Sequence, residues 1–124
     1  MENENNILRV LRVEPGNAPE EKVIGADLES LQAEVAGLIE CVYMDDGIIL
    51  VCNEEGKLNG MKMNRRLGDD IICGPFFLVS DDGEGDFASL NDRQMDALKE
   101  RFAQPEQFAD FEPDAAPRIR FITF

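Results

Sequence analysis

Apolar residues along this chain fall into short runs of β-branched character, interrupted by turn signals and, in two places, replaced by helical spacing. Ile7 to Val13 (Ile-Leu-Arg-Val-Leu-Arg-Val) reads as a first strand that stops at Glu14-Pro15-Gly16. Residues 14–22 carry two prolines and no period, which predicts a surface connection into a short apolar segment at Val23 and Ile24. Asp27 is placed to cap a helix, and Leu28, Leu31, Val35 and Leu38 then recur at steps of three and four, with Gly37 as the expected left-handed stop. Leu38–Met44 and Ile48–Cys52 flank Asp45-Asp46-Gly47, a strong hairpin signal. With Asp46 and Gly47 as the central pair of a type I′ turn, Tyr43 opposes Leu50, Val42 opposes Val51, Cys41 opposes Cys52 and Glu40 opposes Asn53. Both faces of that hairpin are apolar, which predicts a central place in the sheet.

The second half repeats the pattern. Gly68-Asp69-Asp70 punctuates, and Ile71–Val79 reads as one strand whose Gly74-Pro75 step predicts a bulge or an edge position. Asn91 and Gln94 have the spacing of a capping box, and Leu90 that of a hydrophobic staple onto Met95. Met95, Leu98 and Phe102 form the apolar stripe of this second helix, which should end near Gln104-Pro105. Residues 105–117 form an acidic, proline-containing arm, and Arg118–Phe124 (Arg-Ile-Arg-Phe-Ile-Thr-Phe) is β-prone enough to add an edge strand to this domain or to a partner, including a second copy in a dimer. The expectation is a single α+β domain over residues 1–104, with a mixed or mainly antiparallel sheet in the order β-α-β-β-loop-β-α-β and two helices packed on it.

Composition changes this picture in one respect. With 44% hydrophobic and 31% charged residues the 124-residue chain is an ordinary folding domain, but 12 Lys and Arg against 26 Asp and Glu give a net charge of -14. The acidity is spread along the sequence, 5 basic against 13 acidic side chains in residues 1–62 and 7 against 13 in residues 63–124. Only Lys57, Lys62, Arg65 and Arg66 are close enough in sequence to suggest a cationic patch, so direct binding to nucleic acid is not expected. An acidic surface suits a partner protein of opposite charge, and imitation of nucleic acid is its sharper form.

Candidate chemistry is sparse. No histidine is present, which removes the commonest general base and metal ligand, so an enzyme here would have to work through carboxylates alone. Cys41, Cys52 and Cys73 sit inside apolar runs without C-x-x-C spacing and read as reduced, buried thiols of a cytoplasmic protein. Asp81, Asp82, Glu84 and Asp86 crowd one turn, yet the calcium-loop template fails: started at Asp82, its glycine position holds Phe87 and its last ligand position holds Arg93. No metal, no cofactor and no catalytic residue is implied. The N-terminus lacks a secretion signal, and no apolar run approaches the ~18 residues of a membrane span.

Asn53–Arg66 is the segment where amides, carboxylates, cations and turn glycines gather without a period. One reading is a self-satisfied connection in which Asn53 and Asn59 bond local backbone and Lys57 pairs with a neighbouring Glu. The other makes Asn53, Glu54, Lys57, Asn59, Asn64 and Arg65 a polar constellation that holds a small ligand or a partner's loop.

Val13-Glu14-Pro15-Gly16, Leu28-Glu29-Ser30-Leu31-Gln32 with Val35 and Gly37, Ile39-Glu40, Cys52-Asn53-Glu54-Glu55-Gly56-Lys57-Leu58-Asn59-Gly60, Asn64-Arg65 and Asp70-Ile71-Ile72 with Gly74 together resemble the family called domain of unknown function 3846, in order over about residues 7–102. The resemblance implies a cytoplasmic accessory protein of a bacterial phage or integrating element, and it carries no catalytic residues. The function expected on these grounds is a non-catalytic interaction or regulatory protein of such an element, with a host or phage protein as its partner. The alternative is a small polar ligand-binding module centred on residues 53–66.

Overall fold

Strand β1 (Ile7–Val13) sets the layering, because its alternate side chains feed two separate cores. Leu8 and Val10 point to one side of the sheet and Leu11 and Val13 to the other, all buried. The computed structural model describes residues 6–108. Over that range the chain runs β1, β2 (Glu20–Gly25), α1 (Leu28–Val35), β3 (Ile39–Tyr43), β4 (Ile48–Asn53), β5 (Met63–Leu67), β6 (Asp70–Cys73), β7 (Phe76–Asp81), β8 (Phe87–Ala88) and α2 (Asp92–Arg101).

The main sheet has the order β2-β1-β7-β4-β3, with β8 added to the end of β7, and β5–β6 form a separate two-stranded sheet. Every pairing is antiparallel. Helix α1 covers one face through Leu31 and Val35, which pack with Leu8, Val10, Ile49, Val51, Phe77 and Val79. Helix α2 and the β5–β6 hairpin cover the other, where Met95, Leu98, Phe102 and Ile72 meet Leu50, Phe76 and Leu78. Phe102 meets Phe76 edge to face, with ring centroids 5.5 Å apart. The molecule is an α+β domain in three layers.

Both helix starts follow their local chemistry. The Asp27 carboxylate accepts from the Ser30 N–H at 3.0 Å, and Asn91 and Gln94 close a full capping box with Leu90 and Met95 buried beside it. The end of α1 differs from expectation. Ala36 takes the left-handed turn (φ 63), while Gly37 serves a different need, since a Cβ there would lie 2.7 Å from the Asn53 amide nitrogen. Leu28 and Leu38, expected in the buried stripe, are exposed.

The β3–β4 register is shifted by one residue from the predicted pairing. Asp46 and Gly47 do take positive φ, but Asp45 joins the turn, and the Met44 N–H closes on the Ile48 carbonyl at 2.8 Å. Tyr43 therefore faces Ile49, Cys41 faces Val51 and Glu40 faces Cys52, so Cys41 and Cys52 lie on opposite sides of the sheet. Every residue of β4 is buried, so its apolar pattern fits either register equally well and the turn geometry decides. Among the described residues the hairpin is also less central than predicted, with β4 interior and β3 at an edge.

Three strands escape the sequence pattern. β2 lies where a surface connection was expected, and it gains its period only by pairing with β1, which buries Ile24. β5 lies inside the supposed loop 53–66, and β8 is a two-residue extension along β7. The run Ile71–Val79 is two strands in two sheets, divided where Gly74 takes φ +87 and Pro75 follows. β7 is consequently interior, with Pro75 at its entrance, where a missing N–H breaks no ladder. Residues 109–117 of the acidic arm and the predicted strand 118–124 lie outside the described residues.

Ion pairs tie the layers at the surface. Arg12 reaches Glu34 of α1 at 2.9 Å and pairs with Glu14, and Lys22 of β2 shares Glu34 at 3.0 Å. Glu21 of β2 is gripped by Lys99 of α2 and by Arg9 of β1, and these bonds, Lys99 first, hold its carboxyl below the ordinary 4.5. Asp27 is held below 3.8, chiefly by the Ser30 hydroxyl. Both folded values lie below the unfolded ones, so the unfolded chain binds protons first on acidification. Stability should be flat above about pH 5 and fall as pH drops through the folded values. Urea midpoints measured across that range should show the decline, and Glu21→Gln should flatten it; an unchanged slope in the variant would remove Glu21 from the account.

Candidate functional site

The Asn53–Arg66 segment is built as two buried pins and an exposed turn. Asn53 ends β4, and its amide donates to the carbonyls of Val35 (3.0 Å) and Ala36 (3.3 Å), groups at the end of α1 that lack helical partners. Its Oδ1 accepts from the Glu55 N–H at 2.7 Å. The chain then winds through a compact turn closed by Asn59 N–H to Glu55 O (2.8 Å) and Met61 N–H to Gly56 O (2.9 Å). Lys57 pairs with Asp70, whose carboxylate also accepts from the Ile71 N–H. Glu54 and Asn59 are exposed.

The second pin is Asn64–Arg65. A register shift between Met63 and Arg65 bulges Asn64 out of the β5–β6 ladder. The bulge lets two consecutive side chains turn inward, Asn64 at 0% exposure and Arg65 at 1%. Asn64 donates to Val13 O (3.0 Å) and Gly74 O (2.9 Å) and accepts from Arg65 at 2.9 Å. Arg65 donates to Asn17 O (2.7 Å) and Phe102 O (3.0 Å), so one guanidinium joins the β1–β2 connection, β5 and the end of α2. Burial draws its pKa down, and the nearby Glu106 carboxylate acts in the opposite sense.

Of the six residues singled out from the sequence, Asn64 and Arg65 meet, Asn53 serves a different corner, Lys57 turns to Asp70, and Glu54 and Asn59 face solvent. Most of the donors of Asn53, Asn64 and Arg65 go to carbonyls of this chain. The three free thiols are all pushed up by burial, Cys52 to about 12, so they stay protonated near neutral pH. Among the described residues, no group of three or more His, Cys, Asp or Glu is arranged to hold a metal ion. In the acidic turn, Asp81 and Asp82 accept from the backbone N–H groups of Gly83, Glu84 and Asp86 at 2.7–3.1 Å.

A feature invisible in the sequence emerges from the register. Ile48 pairs with Ser80, which puts the Asp45–Gly47 turn beside the 81–86 turn. Ile7 pairs with Gly25, and Arg9 bonds Ser89 and Leu90, which brings the start of α1 to the same end of the sheet. Asp27, Glu29, Asp45, Asp46, Asp82, Glu84 and Asp86 are all exposed there, with Asp81 half-buried. Exposed Ile7, Leu28 and Tyr43 lie among them, Tyr43 at 68% exposure. Of the cations nearest this end, Arg9 is committed to Glu21 and Asp92. Lys57, Lys62, Arg65 and Arg66 belong to the loop and hairpin that leave the opposite end.

These elements define a small antiparallel α+β domain with a polar-pinned base and an acidic pole. Residues 8–103 match the model described as Domain of unknown function (DUF3846), and the chain belongs to that family. No curated protein and no solved structure matched it. No helix among the described residues is long and apolar enough to cross a membrane.

Proposed function

We propose that this domain is a non-catalytic interaction protein that binds a basic partner protein through its acidic pole. Its setting, on the family resemblance, is the cytoplasm of a bacterium carrying a phage or integrating element, with the chain as an accessory of that element. The observation behind the reading is the gathering of seven exposed carboxylates from three separate turns around Ile7, Leu28 and Tyr43. A one-sign field focused on one end speeds encounter with a cationic surface, and exposed apolar side chains, an aromatic among them, supply contact area that charge alone lacks. Asn53, Asn64 and Arg65 enter this reading as the frame that fixes the sheet ends.

The full chain, immobilised, should retain a specific basic polypeptide from a host lysate at ~0.05 M salt and release it at ~0.5 M. The variant Asp45→Asn, Asp46→Asn, Asp82→Asn, Glu84→Gln should weaken that capture at least ~10-fold. Glu54→Gln and Asn59→Ala, at the other end, should leave it unchanged. Undiminished capture by the four-fold variant, or no specific capture at low salt, sinks the reading.

A further inference from the structure

Three apolar side chains at the acidic pole border the core that α1 covers. Leu28 lies one turn ahead of Leu31 on the stripe that α1 turns to the sheet, yet it is exposed. Tyr43 continues the alternation of Ile39 and Cys41, which pack on the α1 side, and so stands on that side too. Phe87, paired with Asp81 at the end of β7, is half-buried against the same cluster as Phe77 and Val79. The spacing of the three follows from the sheet order β2-β1-β7-β4-β3. β3 carries Tyr43, β7 holds Phe87 through β8, and β2 leads through Ala26 and Asp27 into Leu28. Those strands are two places apart, so the intervals across the sheet are about 10 Å each and the row is about 20 Å long. Each anchor has exposed carboxylates beside it: Asp27 and Glu29 flank Leu28, Asp45 and Asp46 follow Tyr43, and Asp86 precedes Phe87.

On the reading that the acidic pole is a binding surface, we infer that the partner segment seated on this row is a basic amphipathic α-helix of about four turns. Residues seven apart on a helix share a face and lie about 10.5 Å apart, so apolar side chains at i, i+7 and i+14 meet Tyr43, Phe87 and Leu28 in turn. An extended strand repeats each face every ~6.8 Å and falls out of step with the row after one anchor. Lys and Arg bordering the apolar stripe of the helix reach the carboxylates that stand beside each anchor. The carboxylates draw the helix in, and the row sets its direction across the sheet.

Two synthetic peptides of about 15 residues, built from the same numbers of Leu and Lys, test this by NMR titration into the full chain at low salt. One carries Leu at i, i+3, i+7, i+10 and i+14; the other carries the same Leu at alternate positions. The first should bind at least ~10-fold more tightly, shift the resonances of Leu28, Tyr43 and Phe87, and become helical on binding. The variant Leu28→Ser, Tyr43→Ser, altered at two exposed positions, should erase that preference and leave the affinity of the alternating peptide unchanged. Equal affinities, shifts confined to the carboxylate turns, or a preference that survives the double variant overturns the helix and leaves a charge-led pole standing. Binding of neither peptide, or binding indifferent to Asp45→Asn, Asp46→Asn, Asp82→Asn, Glu84→Gln, removes the pole as well.

Discussion

Replacing Arg65 with alanine is expected to remove about 3–5 kcal/mol of folding stability, the range for breaking a buried charged network by deleting one partner. The magnitude follows from what the guanidinium holds. Its withdrawal leaves the buried Phe102 carbonyl and Asn64 Oδ1, and the part-buried Asn17 carbonyl, without their donor, and it opens a cavity where a side chain only 1% exposed had stood. Arg65→Lys should recover little, because a single ammonium cannot serve three acceptors that lie around a planar fork. Arg65→Met fills part of the space and removes a buried charge, so its loss should be the smallest of the three. Urea denaturation of the four proteins measures the series. A small domain has roughly 5–15 kcal/mol in total, so Arg65→Ala should sit near the edge of folding. A loss below ~1 kcal/mol would mean that the pin is not structural.

The second large effect is expected at Gly56. A Cβ there would lie 2.5 Å from the carbonyl oxygen of Cys73, a backbone atom that cannot swing aside. Gly56→Ala must push the 54–60 turn away from β6, at about 2–3 kcal/mol for overpacking of this kind. Gly60 makes the control. It takes φ +71 with open space around it, so Gly60→Ala meets only the left-handed backbone penalty of about 1–2 kcal/mol. Thermal or chemical denaturation of both variants checks the order. If Gly56→Ala is no worse than Gly60→Ala, the turn is not packed against β6 as described.

Both predictions rest on features that the sequence marked without explaining. Asn53, Gly56, Asn64 and Arg65 stand out because polar and glycine residues interrupt the apolar period, and a polar interruption looks the same whether it faces water or the core. Burial at β5 depends on a bulge at Asn64, and on carbonyls from residues 13, 17, 74 and 102 that no local pattern brings near. Glu54 and Asn59, which share the segment and its composition, face solvent. Side-chain type marked the segment, and distant backbone sorted its members.

By itself the sequence determined the α+β class, the starts of both helices, the apolar stripe of α2 and the existence of the β3–β4 hairpin. Each depends on chemistry within a few residues: an Asp or Asn that caps its own first turn, or an Asp-Gly pair that takes its own left-handed backbone. Tertiary structure alone decided the one-residue register of β3, the strand character of β2 and β5, the interior place of β7, and the acidic pole. β4 is apolar on both faces and so cannot choose its register, β2 and β5 gain their order only from a partner, and the pole joins turns more than fifty residues apart in sequence. Local patterns report what a residue can do with its neighbours, and pairing across the sheet determines which neighbours it has.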